Sequence, residues 1–212
     1  MLNYLSLVLF GATLLYISTT SRLGAYVKIL AMQGVLLFLA AMTHTHSFGF
    51  FHTAFITFET LIVKAALIPA FIFFIIKQIG IKRETEPYID NFFSLIAATF
   101  IIALSFVLSV MISKQTGGID VLAFGISLSA VIVGLFIMVT CKKIITHVMG
   151  YLVLENGVFL MSLGLAAEVP ILVEAGVLLD VFIGLFLMGI FINKVKSSFD
   201  SADVSELTRL AD

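Results

Sequence analysis

The chain has 212 residues, of which 61% are hydrophobic and 12% charged, and its mean hydropathy is +1.18. A water-soluble domain of this size needs more charge on its outside, so the composition points to a membrane protein whose spans take up about two thirds of the chain. That leaves no room for a separate soluble catalytic domain, and 12 basic against 13 acidic residues give none of the basic surplus that nucleic-acid binding uses.

In chain order, apolar runs long enough to cross the hydrocarbon as helices occupy residues 2–20, 25–43, 54–76, 91–112, 121–141, 144–166 and 171–193. The first lacks a basic leading region and a convincing cleavage site, and reads as a retained span rather than a signal peptide. None of the runs alternates with period two, which argues against a β-barrel. The expected fold is therefore all-α, a polytopic membrane protein with seven transmembrane helices.

Arg22, Lys28, Lys77, Lys82, Arg83, Lys142, Lys143, Lys194 and Lys196 border the odd-numbered connections and the last span, against Lys114 on the opposite side. The positive-inside rule then predicts the N-terminus outside and the C-terminus in the cytoplasm. Residues 1–212 read as one integral membrane domain: a three-span half at 1–76, a cytoplasmic connection at 77–90 containing Pro87, a four-span half at 91–193 and a cytoplasmic tail at 194–212.

Five ionisable residues interrupt the spans: Glu59, Lys64, Glu155, Glu174 and Asp180. Each is costly in hydrocarbon unless neutral, paired or in contact with an internal aqueous path, which makes them the leading candidates for function. At 1.5 Å per residue, Lys64 lies about 15 Å, Glu155 about 16 Å and Asp180 about 14 Å from the start of its span, all near mid-membrane. Glu59 and Glu174 fall nearer the outer side. Glu59 and Lys64 are five residues apart, about 140° around an ideal α-helix, and are expected to be poorly placed to pair. Lys64 is expected instead to seek a carboxylate on another helix or subunit. An ion pair that merely locks helix packing is the competing expectation.

Pro69, one turn after Lys64, cannot donate a backbone hydrogen bond to Ala65, which frees a carbonyl or simply kinks the helix. Gly150, Gly157 and Gly164 recur every seven residues and form a smooth stripe for helix packing. His147, beside Lys142 and Lys143, is placed to take up protons at the cytoplasmic edge. His44, His46 and His52 have no recognised zinc spacing, so no metal site is expected there. Cys141, the single cysteine, forms neither an internal disulfide nor a cysteine-ligated iron-sulfur cluster.

The segments GYLVLENG (150–157) and LVEAGVLLDVFIG (172–184), together with Lys64, Pro69 and DVSELTRL (203–210), resemble the hydrogenase-4 component E family, a membrane subunit of group 4 nickel-iron hydrogenase and formate hydrogenlyase-like complexes. The C-terminal half is also similar to the K subunit of respiratory complex I and the C subunit of multisubunit cation/proton antiporters. There Glu155 matches a glutamate of the motif, and Asp180 stands where those proteins have a second glutamate. Glu59 departs from the family pattern.

The resemblance implies a non-catalytic subunit in the prokaryotic inner membrane, contributing Lys64, Glu155 and Asp180 to a proton or cation path; Glu59 and Glu174 join that path as ionisable residues within the spans, Glu59 as a feature specific to this branch. It implies antiporter-like membrane subunits, a complex I-like membrane anchor, cytoplasmic hydrogenase large and small subunits and iron-sulfur proteins as partners. The nickel-iron centre and the clusters would sit in those partners, with no cofactor bound by this chain. A purely structural assembly subunit and an independent seven-span transporter are the alternatives.

Overall fold

The computed structural model describes residues 2–44, 50–79, 88–116 and 119–164, with Gly184, Phe186 and Gly189 beyond them. The described chain is all-α: α1 (Leu2–Thr19), α2 (Leu23–His44), α3 (Phe50–Thr57), a π-helical segment (Phe58–Leu67), α4 (Ile68–Ile79), α5 (Asn91–Thr116), α6 (Val121–Thr140) and α7 (Ile144–Gly164). The segment from α3 through α4 makes one continuous span. Six helices among the described residues are long and apolar enough to cross a membrane, so this is a multi-pass membrane protein.

The expectation of seven transmembrane helices is thereby corrected to six among the described residues. Those six begin and end within three residues of the first six apolar runs. The run at 171–193, with Glu174 and Asp180, lies outside the described residues apart from three positions. Hydropathy establishes only that a span is possible, not that one forms. The expected orientation, N-terminus outside and C-terminus in the cytoplasm, rests on the distribution of Lys and Arg in the sequence. The residues at 80–87, the tail at 194–212 and His46 also lie outside the described residues.

The helices bury polar and small residues together with part of their bulky apolar residues and expose the remaining bulky apolar side chains, as a lipid environment allows. In α1, Ser6, Leu7, Phe10, Thr13, Leu14, Ile17 and Ser18 form one buried face, while Leu5, Val8, Leu9 and Tyr16 are exposed. The hydroxyls of Ser6, Thr13 and Ser18 donate to carbonyls three residues back, so none is left unsatisfied away from water. Helix α5 packs through a narrow stripe of Ser94, Ala98, Ser105 and Ser109 and exposes Phe92, Phe93, Ile96, Phe100, Val107 and Met111.

Helix α2 is central, packing against α1, the π-helical segment, α4 and α7. Helices α6 and α7 form the most extensive pair. A Cβ on Gly134 would lie 2.6 Å from the Gly150 carbonyl oxygen, and one on Gly157 would lie 2.8 Å from the Val131 nitrogen. Only glycine allows backbones to approach that closely.

The ends of α1 and α6 and the start of α5 meet. Ser94 Oγ donates to the Ser18 carbonyl at 2.6 Å, the Tyr88 N–H donates to the Thr140 carbonyl at 2.9 Å, and Lys142 Nζ lies 4.8 Å from the Tyr88 ring centroid. The α1–α2 and α6–α7 turns, with Arg22, Lys142 and Lys143, thus share one end of the bundle. At the other end Asp120 caps α6 by accepting from the Leu122 and Ala123 N–H groups at 2.9 and 3.4 Å.

Candidate functional site: a buried charge cluster

The π-helical segment FETLIVKAAL differs from an α-helix by bonding five residues apart, and it ends with the Ile68 N–H donating to the Val63 carbonyl. That register stacks residue i+5 above residue i. Glu59 and Lys64 therefore share a face, and Lys64 Nζ lies 3.9 Å from Glu59 Oε1. The expectation that this pair was poorly placed is corrected: it assumed α-helical spacing, which the chain abandons here. Glu59, Thr60 and Lys64 are the buried residues of the segment, while Phe58, Leu61, Ile62 and Leu67 face outward.

Pro69 falls in the first turn after the segment, where i→i+5 bonding reverts to i→i+4. It has no amide hydrogen, so the register changes beside the one residue type that cannot donate. Thr60 Oγ1 donates to the Ile56 carbonyl at 2.7 Å, binding the segment to the turn before it.

Lys64 also reaches α7, where its ammonium donates to Glu155 Oε1 in a buried ion pair. One turn further along α7, the Phe159 ring centroid lies 5.4 Å from Lys64 Nζ, within cation–π range. Glu59, Lys64 and Glu155 are 3%, 5% and 2% exposed. A single ammonium is therefore held between two carboxylates in a site closed to bulk water.

The packing that sets this distance comes from α2. A Cβ on Gly34 would lie 2.6 Å from the Ala65 nitrogen and 2.8 Å from the Lys64 carbonyl carbon, so α2 touches the π-helical backbone at Lys64 itself. The preceding residue, Gln33, is fully buried and donates from Nε2 to Thr13 Oγ1 at 2.8 Å. Asn156, beside Glu155, donates from Nδ2 to Gln33 Oε1 at 3.1 Å. Gly34, Gln33, Thr13 and Asn156 were missed in the sequence because none is charged; the visible signal was an amide next to a glycine in the middle of an apolar span.

Of the remaining sequence-based candidates, Gly150 and Gly157 lie in the α6–α7 contact, and Gly164 ends α7. His147 is half-buried near the start of α7, about 12 Å along the helix from Glu155. Its Nδ1 lies 2.7 Å from the Lys143 carbonyl oxygen, which can only accept, so Nδ1 is the donor in this contact. Glu174 and Asp180 lie outside the described residues. Among the described residues no three His, Cys, Asp or Glu side chains converge as metal ligands.

Curated relatives match part of the chain. Hydrogenase-4 component E of Escherichia coli, like that of Shigella flexneri, is 26% identical over 150 residues, covering 70% of this chain and 69% of the relative. The chain is distantly similar to hydrogenase-4 component E. An uncharacterized protein of Mycobacterium tuberculosis is 27% identical over 131 residues, 62% of this chain, and the chain spans 60% of that relative's length. No protein-family model and no solved structure matches. The resemblance to the complex I K subunit and the antiporter C subunit gains no support from these relatives.

Proposed function

We propose that the chain is a non-catalytic membrane subunit of a hydrogenase-type redox complex in the bacterial inner membrane, in which Glu59, Lys64 and Glu155 form an exchange site for H+ or a monovalent cation. The observation that carries this reading is the charge balance of the cluster. Two carboxylates around one ammonium carry one net negative charge when all are ionised, and a buried site favours neutrality. Uptake of one H+ or Na+ achieves it, and release restores the ion pair.

The similarity to hydrogenase-4 component E supports the choice of complex. Antiporter-like subunits, a complex I-like anchor and the cytoplasmic hydrogenase and iron-sulfur proteins would surround the chain and carry the redox chemistry. Redox turnover in those partners would shift the electrostatics that decide whether Lys64 stays on Glu155. His147, near the basic end of the bundle with Lys142 and Lys143, is proposed as a proton-uptake point. Asp180 and Glu174 are assigned to the path on their sequence motif.

The competing reading is a structural subunit whose ion pair only locks packing, and the glycine contact of α2 with the π-helical segment is the feature that favours it. The two separate in the native complex. Exchange at the cluster predicts that Glu155→Gln assembles and turns over hydrogen while ions moved per turnover fall at least about tenfold. Undiminished translocation in that variant would sink the proposal.

A further inference from the structure

Three uncharged polar side chains join α1, α2 and α7 beside the charged cluster. Thr13 Oγ1 donates its one hydrogen to the Phe10 carbonyl at 2.6 Å, so toward Gln33 its oxygen can only accept. That obliges Gln33 to turn Nε2 toward Thr13, at 2.8 Å, and Oε1 toward Asn156. Asn156 must then present Nδ2 to Gln33, at 3.1 Å, which leaves Oδ1 as its acceptor elsewhere. The orientation of the final amide is thus set from the far side of the bundle. Thr13, Gln33 and Asn156 are all buried, so no bulk water competes for these bonds.

Asn156 also lines a small cleft together with Lys64, Leu30, Ile68 and Leu152. Apart from these two polar residues the walls are apolar. An ammonium in such surroundings needs hydrogen-bond acceptors at every moment, because leaving it without them costs several kcal/mol. Glu59 stays close to Lys64 through the π-helical register, but Glu155 can be lost as an acceptor whenever it takes up a proton.

We propose that Asn156 Oδ1 is the second docking point of the Lys64 ammonium, with Thr13 and Gln33 as the positioning residues that aim it. When a proton adds to the Glu155 carboxylate, the Lys64 N–H bond to Glu155 breaks and one to Asn156 Oδ1 forms. Lys64 keeps its charge throughout, with Glu59 as counter-ion. A neutral amide holds an ammonium less tightly than a carboxylate does, so loss of the proton returns Lys64 to Glu155. The inference rests on the exchange reading of the cluster.

The test is solid-state NMR of the full chain in its native assembly in lipid bilayers, reading dipolar contacts from the isotope-labelled Lys64 Nζ to side-chain carbons. Unmodified protein should show the contact to Glu155. In Glu155→Gln, which imitates the protonated acid, the contact to the Asn156 carboxamide carbon should take its place. Adding Thr13→Val should weaken that contact about fivefold, the size of one lost hydrogen bond, and Thr13→Ser should restore it. Should Glu155→Gln fail to assemble, acidifying the unmodified protein reaches the neutral acid without a substitution.

An ammonium that remains on residue 155, engages only Glu59, or meets Asn156 regardless of Thr13→Val overturns the inference. Failure here with translocation still lost in Glu155→Gln removes the docking point and leaves the exchange site. Movement of the ammonium with translocation intact removes the exchange site instead.

Discussion

In the α6–α7 pair, two regular helices press backbone against backbone at Gly134, Gly150 and Gly157, and every one of those positions would clash with a methyl group. In the span from Phe50 to Ile79, the helix changes register twice and turns Glu59, Thr60 and Lys64 inward. Both regions are apolar enough to cross the bilayer. One uses the absence of side chains to lock helices together, and the other uses an irregular backbone to bring charges onto one face. Helix α2 joins the two, with Gln33 bonded to α7 and Gly34 against the π-helical backbone.

The sharpest way to break this comparison is Lys64→Met, which leaves two buried carboxylates without their cation. Its expected cost is about 3 kcal/mol, as for removal of one partner from a buried ion pair, together with loss of ion translocation. Thermal unfolding of the assembled complex and translocation per turnover check the two halves. A translocation defect with no loss of stability would mean that the charges do not hold the helices together.

Next in size is Gly157→Val in the regular pair. It should cost about 1–3 kcal/mol through overpacking against Ser127, Ala130 and Val131. Protein that survives should translocate normally, since no charge has moved. A translocation loss with stability unchanged would make the glycine contact part of the site rather than its support.

Gly34→Ala joins the two behaviours. It should cost about 1–2 kcal/mol by overpacking and should also reduce translocation, because the added methyl meets the backbone at Lys64 and Ala65. The smallest expected effect is Thr13→Val, about 0.6 kcal/mol, the usual worth of one hydrogen bond between membrane helices. Unfolding midpoints measured side by side should rank Lys64→Met, Gly157→Val, Gly34→Ala and Thr13→Val in that order.

Much of this fold is legible in the sequence, because six runs such as 121–141 are bounded by residues that hydrocarbon rejects. Asp120 before α6 and the Lys142–Lys143 pair after it mark their ends plainly. The site is legible in part. Lys64 and Glu155 stand out as charges at mid-span, and each does meet a buried partner. The pairing of Glu59 with Lys64 is hidden, because the α-helical spacing assumed for an apolar run gives no sign of the rare π-helical register that brings them together. Gln33 and Asn156 are hidden for a different reason: an amide in a membrane helix is unremarkable until its partner is known. The seventh expected run, at 171–193, lies outside the described residues apart from Gly184, Phe186 and Gly189, so six spans are counted among the described residues.

The claim that the charged cluster exchanges ions, rather than only holding helices, is tested most directly by replacing the whole ion pair with apolar residues. Lys64→Met combined with Glu155→Met removes both buried charges, and such replacements are often neutral or stabilising. Translocation per hydrogen turnover should be measured in that double variant, in native membranes, with assembly verified. The account predicts an assembled complex that turns over hydrogen and moves few or no ions. Full translocation by the apolar double variant would contradict it.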